Sequence, residues 1–277
     1  MSTTVFNQLY LDYESEENQS YYGQIGEKLL QYIRKYKDNF EEILDICCGT
    51  GIVSQKLREQ YGQANIVGLD ISQNMLSIAE AKRLENVSFY QYDVNKIETY
   101  EQKVDLIICN YGIQWLNLRT IGSIGDTLRK GGIFACTLPG YTIGNVKVEQ
   151  GASSFIGNMI FKAIIDVSKS KKEYLSLRYP KKIISTWSDC IEASQVIDMA
   201  KQNGLELLEN KVEKFTIEFK DVKNLVCSIL ARGTFGNTFA DVKETFLYDL
   251  IERLEELQCK YQNCCEENIS QYLVFQK

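Results

Sequence analysis

Three segments of this chain carry glycines or acids where they could hold a nucleotide-like ligand. The first is a loop in which Gly49 and Gly51 follow the aliphatic run that begins at Ile43. Glycines let a backbone come close to a ligand, and a helix starting just beyond them would offer free N–H donors and a positive dipole end. Asp70, about 20 residues further on, is placed to accept hydrogen bonds from both hydroxyls of a ribose. A third acid, Asp93, ends the next strand-like run.

A nicotinamide dinucleotide is one candidate for this ligand, because its binding loop is also rich in glycine. Its fingerprint requires Gly-x-Gly-x-x-Gly. The loop here reads Cys47-x-Gly49-x-Gly51, and Ser54 stands where the third glycine of the fingerprint is needed. A pyrophosphate would therefore be less well accommodated than a ligand without one.

The chain contains no histidine. This excludes a Ser-His-Asp triad, a histidine base and a histidine-ligated metal. Any catalysis must therefore depend on other groups or on the positioning of substrates.

The cysteine usage indicates reduced thiols. The chain has nine cysteines, an odd number, and three of them lie in predicted strands: Cys47, Cys109 and Cys136. Buried strand cysteines behave as small hydrophobic residues, and reduced thiols are typical of the cytoplasm. A C-terminal cluster lacks a second Cys or His pair at zinc spacing, so we predict no metal site. That cluster consists of Cys259, Cys264 and Cys265.

The glycines and acids above can bind one ligand only if the fold brings the ends of their strands together. Five short aliphatic or β-branched runs alternate with amphipathic segments between Glu41 and Leu138. The predicted strands are Ile43 to Cys47, Asn65 to Asp70, Val87 to Tyr92, Val104 to Cys109 and Gly132 to Leu138. Such repetition implies a parallel sheet covered by helices on both faces, which binds ligands at the carboxyl ends of its strands.

Further elements are predicted on either side of this core. An amphipathic helix precedes it, and a partly helical insertion with an apolar stretch from Phe155 to Val167 follows Pro139. Asp189 and Glu192 form a capping-box pair that predicts the start of a helix, and Gly204 predicts its end. The later elements are a strand pair or one long bent strand over Leu205 to Phe219, a helix opened by Asp241 and Glu244, and a closing strand over Ser270 to Gln276.

Composition and charge exclude several classes of protein. The net charge is −6, and general nucleic-acid binding would need a clustered surplus of Lys and Arg. No apolar run approaches the roughly 18 residues of a membrane span. The first residues, Met1 to Glu17, are polar and acidic, unlike a secretory signal. We therefore expect a soluble, cytoplasmic protein.

The glycine-loop segment is similar to the first motif of the class I methyltransferases that use S-adenosylmethionine (SAM). The motif, an acidic strand followed by Gly-x-Gly-x-Gly, matches Asp45 to Gly51, with Cys47 in place of the first glycine. The segment Leu128 to Ile133 resembles the family's helix-to-strand turn before the fifth strand. The resemblance covers roughly Tyr21 to Leu138 and the final strands. It implies an α/β, Rossmann-like fold with a seven-stranded, mostly parallel sheet, an antiparallel last strand and a small helical cap.

The resemblance also implies how the cofactor SAM would be held. Asp70 would bind the ribose, and Ile71 and Met75 would pack on the adenine. Asp93 would receive the adenine amino group, with the backbone N–H of Val94 on a ring nitrogen. The residues expected to bind SAM are Tyr21, Asp45, Cys47, Gly49, Gly51, Asp70, Ile71, Met75, Asp93, Val94 and Asn110.

Residues near the methyl group are implied in the same way. Asn110 would lie beside the methionine portion of SAM, and N-terminal aromatics such as Tyr21 would fold over the sulfonium, where a ring attracts a cation. The pair Gln114-Trp115 is similar to that of trans-aconitate and malonyl-carrier-protein methyltransferases, although methyltransferases for other substrates also carry it. Trp115 could instead simply pack a helix on the sheet. The residues expected to contact the substrate are Tyr22, Tyr111, Gln114, Trp115 and Tyr141.

We expect an N-terminal helical lid over residues 1–40, a SAM-binding core over 41–139, a substrate cap over 140–187 and the remainder of the core over 188–277. The expected function is SAM-dependent methyl transfer to the N, O or C atom of a small, partly hydrophobic molecule of secondary metabolism. Positioning would do most of the catalysis, and no catalytic residue is assigned. Two alternatives remain: a carboxyl O-methyltransferase of a small acid or carrier-bound acyl group, and a non-catalytic SAM-binding protein. The pattern gives no oligomeric state.

Overall fold

A computed structural model describes residues 16–139, 142–143, 146–147, 155–170, 191–219, 221, 244–261 and 265–277. The α-helices are α1 Glu16–Arg34, α2 Ile52–Gln60, α3 Gln73–Ala81, α4 Leu118–Thr127, α5 Phe155–Ser170, α6 Ala193–Gln202 and α7 Glu244–Tyr261. The strands are β1 Glu42–Ile46, β2 Asn65–Asp70, β3 Val87–Gln91, β4 Val104–Asn110, β5 Leu128–Pro139, β6 Thr142–Ile143, β7 Val146–Lys147, β8 Glu206–Glu218 and β9 Cys265–Gln276. Two 3-10 turns lie over Val94–Thr99 and Ile113–Trp115.

A seven-stranded sheet in the order β3-β2-β1-β4-β5-β9-β8 organises the described residues. The pairings from β3 to β5 are parallel, and β9 is antiparallel to both β5 and β8. The predicted Rossmann-like fold, with its closing strand antiparallel, is confirmed. Because β1 and β4 are neighbours and the chain crosses over between them, their carboxyl ends form a crevice at the switch in strand order.

Helices cover both faces of this sheet. The consecutive residues Ile43 and Leu44 of β1 belong to two different core clusters, because successive strand side chains point to opposite faces. One cluster is completed by α1, α2, α5 and α7, and the other by α4 and α6. Both faces are therefore buried, which explains why the strands read as continuous apolar runs.

The structure revises two predicted boundaries and confirms a third. The segment predicted as a turn before the fifth strand is already strand, since β5 begins at Leu128 and its register with β4 shifts before Ile133. The capping box of α6 is formed by Glu192 and Gln195, with Glu192 as the N-cap rather than the partner of Asp189. Asp189 lies outside the described residues. The predicted stop at Gly204 is confirmed by its φ of +78° directly after α6.

The remaining elements follow the sequence pattern closely. The segment predicted as a strand pair or one bent strand is a single strand, β8, with an irregular register between Leu207 and Glu209. The closing strand β9 begins at Cys265, five positions before the predicted start at Ser270. Within the part of the chain that the structure describes, no helix has the length and apolarity that a membrane span requires.

The C-terminal half of α5 is part of the core. Ala163, Ile164 and Val167 are buried in the same cluster as Leu250 and Leu254 of α7. The C-terminal part of the predicted apolar stretch from Phe155 to Val167 therefore packs against the body of the protein. The rest of the predicted cap falls mostly outside the described residues.

Candidate functional site

An open cleft lies at the carboxyl ends of β1, β2 and β4. It encloses about 1070 Å³ of empty space, counting the part that is open to solvent. Twelve predicted site residues line it: Tyr22, Asp45, Cys47, Gly49, Asp70, Ile71, Met75, Asp93, Val94, Asn110, Tyr111 and Trp115. The parallel strands bring these residues together because their carboxyl ends share one edge of the sheet.

The glycine loop forms the floor of this cleft. Gly49 has a φ of +55°, and a Cβ placed on it would meet no atom within 4 Å. The backbone is therefore open to close approach by a ligand at this position. Gly51 has a φ of +75° and is the N-cap of α2, where a Cβ would come within 3.1 Å of Ala79 and Phe89. Gly51 thus serves the packing of the loop and does not line the cleft.

The departure from the family motif at Cys47 has a structural consequence. Cys47 has a φ of +56°, the left-handed region that glycine occupies at no steric cost. The loop after β4 compensates for its side chain, since a Cβ at Gly112 would lie 2.4 Å from Cys47 Cβ. The Cys47 side chain therefore fills space that opens only because residue 112 has none.

Asp70 holds the loop and the start of the next helix through its carboxylate. The backbone N–H of Gly49 donates to Oδ2 and the backbone N–H of Ser72 donates to Oδ1, both at 2.9 Å. Burial raises the pKa of Asp70, and the hydrogen bonds from Ser72 and Gly49 oppose the rise. A carboxylate has about four acceptor positions, so these bonds do not use up its capacity to accept from ligand hydroxyls.

Asp45 is a buried carboxylate beneath the loop. Its side chain lines the cleft, and the hydroxyl of Ser54 donates to its Oδ2 at 2.5 Å. Burial raises the pKa of Asp45 to about 7, the hydrogen bond from Ser54 opposes the rise, and the charge of Asp70 adds to it. A cation bound in the cleft would stabilise the ionised form of Asp45.

The raised pKa of Asp45 makes stability depend on pH. Because the folded pKa of about 7 exceeds the ordinary value of 3.8, the stabilisation is complete below the unfolded pKa and is lost as the pH rises through the folded pKa. We expect Asp45→Asn to raise the free energy of unfolding, relative to the native protein, by about 2–3 kcal/mol more at pH 9 than at pH 5. Urea unfolding of both proteins at the two pH values measures this difference.

Asp105 provides a matched control for that prediction. Burial tends to raise the pKa of Asp105. The backbone N–H groups of Glu42 and Glu41 and the guanidinium of Arg129 outweigh this effect, so the pKa is lowered. Its stabilising effect is present above the unfolded pKa and is lost only in acid. Asp105→Asn should therefore change the unfolding free energy equally at pH 5 and pH 9. An equal response of Asp45→Asn at both pH values would contradict the assignment.

The end of the cleft beyond β2 and β3 combines apolar and polar groups. Ile71 is 39% exposed although it is a large hydrophobic residue, and Met75 beside it is buried. Asp93 caps the following 3-10 turn, with its Oδ1 accepting from the N–H of Asn95 at 3.1 Å. An exposed aliphatic side chain next to a capping carboxylate and a buried Val94 suits a flat, polar-edged ring.

The opposite end of the cleft is aromatic. Tyr22, Tyr111 and Trp115 line it together with Asn110. Tyr111 has a φ of +55°, and its hydroxyl lies 2.8 Å from Ser270 Oγ on β9. Burial raises the pKa of the Tyr111 phenol well above its usual value, so it is a neutral group near pH 7.

Three predicted contact residues lie behind the cleft instead of in its wall, and a fourth cannot be placed. Gly51, described above, is the first of these. Tyr21 is the second: it is 3% exposed, and its ring centroid lies 5.7 Å from that of Tyr111. Gln114 is 6% exposed, and its amide donates to the backbone oxygen of Tyr111 at 2.8 Å. Both therefore support the lining residues. Tyr141 lies outside the described residues.

Sequence reasoning missed eight residues that line the cleft: Cys48, Thr50, Ile52, Val53, Tyr92, Asn95, Gly112 and Leu116. Most of them adjoin a predicted residue along the chain. Their position in the same loops was therefore the signal by which they could have been predicted as lining residues. Asn95 differs from the other seven in its contacts with a helix. Its Oδ1 accepts from Asn117 N at 2.7 Å and from Thr120 Oγ1 at 3.1 Å. This bond set ties the wall of the cleft to the start of α4, which no sequence pattern indicates.

Residues 43–132 match the family model described as a methyltransferase domain. This segment runs from β1 to β5 and contains the glycine loop and all three strand-end acids. This segment, about a third of the chain, is a methyltransferase domain of the kind that class I SAM-dependent methyltransferases share. The cofactor of this family is SAM, and its fold is the one observed here.

Individual relatives are similar over parts of the chain. It is 33% identical to a trans-aconitate 2-methyltransferase of Deinococcus radiodurans over 102 residues, which cover 36% of this chain and 38% of the relative. It is 35% identical to a malonyl-[acyl-carrier protein] O-methyltransferase of Bacillus anthracis over 86 residues, which cover 30% of this chain and 32% of the relative. The chain thus spans about a third of the length of these curated relatives.

A solved structure extends the similarity of the fold. The phosphoethanolamine N-methyltransferase 2 of Haemonchus contortus in complex with SAM has a TM-score of 0.50 and 17% sequence identity. The match covers 98% of this chain and 60% of that chain. At this identity the likeness concerns the fold alone.

Proposed function

We propose that this protein binds SAM in the cleft and transfers its methyl group to a small, partly hydrophobic organic molecule. The observation that carries the proposal is the convergence of a glycine loop and three strand-end carboxylates in one cleft. These carboxylates belong to Asp45, Asp70 and Asp93. They favour a ligand with positive charge and hydroxyl groups, and no Lys or Arg is among the described residues that line the cleft.

Three features of the cleft fit SAM. Thr50 Oγ1 is buried in its wall and has no hydrogen-bond partner among the described residues, so it is free to bond a ligand. The open space above Gly49 admits a ligand against the backbone. The exposed side chain of Ile71 offers an apolar surface where the family places adenine. Asp70 would hold the ribose, Asp93 and Val94 the adenine edge, and Asn110 the methionine portion.

Bound SAM supplies a methyl group on a sulfonium, which is already a good leaving group. The chain mainly needs to align the acceptor with that methyl, and positioning of this kind can be worth roughly 7–11 kcal/mol. Tyr22, Tyr111 and Trp115 form the wall where the acceptor would lie. Tyr111 is poorly suited to act as a base, because a proton lost from a phenol of such raised pKa would leave a buried charge.

In a second candidate function, the atom that accepts the methyl group is a carboxylate oxygen. The names of the two relatives support it, since they act on trans-aconitate and malonyl-carrier protein. The absence of a cationic side chain among the described lining residues favours a neutral or amine acceptor instead, because a carboxylate acceptor lacks an Arg or Lys partner there. As part of the main proposal, we also propose that the protein acts in secondary metabolism and is located in the cytoplasm. The lid over residues 1–40 and the cap over 140–187 belong to the same main proposal.

Calorimetric titration with SAM and with its demethylated product, S-adenosylhomocysteine, tests cofactor binding. We expect both to bind with one site per chain, and no heat of binding would overturn the proposal. Methyl transfer is then tested with SAM labelled in the methyl group and a panel of amines, phenols and carboxylic acids. Binding without transfer to any class of acceptor would favour the non-catalytic alternative.

A further inference from the structure

Thr137 lies directly behind the cleft on β5. It is fully buried and does not line the cleft. In the parallel pairing of β4 with β5 it stands opposite Asn110, the last residue of β4 and a lining residue. A hydroxyl in this place is unexpected for a strand whose neighbours are apolar, because a buried hydroxyl costs free energy unless it is hydrogen-bonded.

The hydroxyl of Thr137 is bonded on both sides. It accepts from the backbone N–H of Tyr111 at 2.9 Å, and it donates to Oδ1 of Asn110 at 2.8 Å. A hydroxyl has only one proton to donate. Because a backbone N–H can only donate, Thr137 accepts from Tyr111, and its one proton is left to donate to Asn110.

The Thr137 hydroxyl and the Tyr22 carbonyl, which can only accept, together decide how the carboxamide of Asn110 is turned. Its oxygen accepts from Thr137, and its nitrogen donates to the backbone oxygen of Tyr22 on α1 at 3.2 Å. The opposite orientation would place the amide oxygen against the Tyr22 carbonyl, where two acceptors would meet, and would remove the acceptor of the Thr137 proton. One N–H and one lone pair of Asn110 then remain for a ligand.

We infer that Thr137 is a positioning residue that fixes the orientation of the Asn110 carboxamide toward the cofactor. The inference rests on the proposed function, since it assigns Asn110 to the methionine portion of SAM. Tyr111 does not depend on the hydroxyl in the same way, because its N–H also lies 3.3 Å from the backbone oxygen of Thr137. The effect of Thr137 on binding therefore passes through Asn110.

The test compares Thr137→Val and Thr137→Ser by titration with S-adenosylhomocysteine. Valine keeps the shape of threonine without the hydroxyl, whereas serine keeps the hydroxyl without the methyl. We expect Thr137→Val to weaken binding about tenfold and Thr137→Ser to stay within about threefold of the native protein. Native-like binding by Thr137→Val, or an equal loss in both variants, would overturn the inference.

A double-mutant cycle separates positioning from a general loss of structure. We expect Asn110→Ala to weaken binding, and adding Thr137→Val to it should have little further effect, since the group to be positioned is gone. A merely structural role would instead lower the thermal midpoint and multiply the two losses. If the valine variant does not fold, Thr137→Ala takes its place in the cycle. A native protein that binds no S-adenosylhomocysteine would refute the proposed function itself, which is a distinct result.

Discussion

Asp70→Ala is expected to weaken the binding of S-adenosylhomocysteine by about a hundredfold. The carboxylate would accept from both ribose hydroxyls, and hydrogen bonds to charged groups contribute about 1.5–3 kcal/mol each. A total near 3 kcal/mol corresponds to about a hundredfold in affinity. The same variant removes the acceptor of the Gly49 N–H, so the loop that approaches the ligand loses one of its anchors.

A ligand analogue shows whether the loss comes from the ribose. We expect removal of the 2′-hydroxyl from S-adenosylhomocysteine to weaken binding to the native protein about tenfold and to have little effect on Asp70→Ala. Asp126→Ala is a matched control, because this exposed acid on α4 does not line the cleft. Equal sensitivity of the native protein and Asp70→Ala to the missing hydroxyl would contradict the assignment of Asp70.

Much of the fold could be predicted from the sequence because the pattern is local. Five strands, all mostly buried except the edge strand β3, alternate with amphipathic helices, and the order of glycines and acids along the chain indicates which strand ends meet. Asp70 and Asp93 were found in this way, since each stands at the end of a strand-like run. The start of β5 was wrong because the strand accommodates an irregularity near Gly131, whose φ is +76°.

The supporting residues of the site could not be predicted because they depend on contacts across the sheet. Thr137 meets Asn110 only through the register of β4 and β5, which spacing along the chain does not give. Tyr21 was assigned to the cofactor, although it lies four residues before Ile25 and eight before Leu29, on one face of α1. That periodicity is the signal of a core residue, and the structure buries all three in one cluster.

Cys47 shows how a departure from a motif is accommodated elsewhere. We expect Gly112→Ala to destabilise the protein by about 3 kcal/mol, because the new Cβ would lie 2.4 Å from Cys47 Cβ and 3.0 Å from Cys109 Sγ. The backbone of Gly112, with φ −114° and ψ −27°, is open to any residue, so the cost comes from the clash alone. Cys47→Gly removes the nearest clashing atom and relieves a left-handed conformation worth about 1–3 kcal/mol.

The double variant Cys47→Gly with Gly112→Ala should therefore recover most of the lost stability, with a coupling of about 2 kcal/mol in urea unfolding. Gly131→Ala is the control, since its φ of +76° predicts strain but a Cβ there meets nothing within 4 Å. Cys47→Gly should leave the cost of Gly131→Ala unchanged. Additive effects of Cys47→Gly and Gly112→Ala would mean that the two positions do not share this space. Coupling would instead explain why a cysteine is tolerated where the family has glycine: the absence of a side chain at Gly112, in the loop after β4, leaves space for the cysteine side chain.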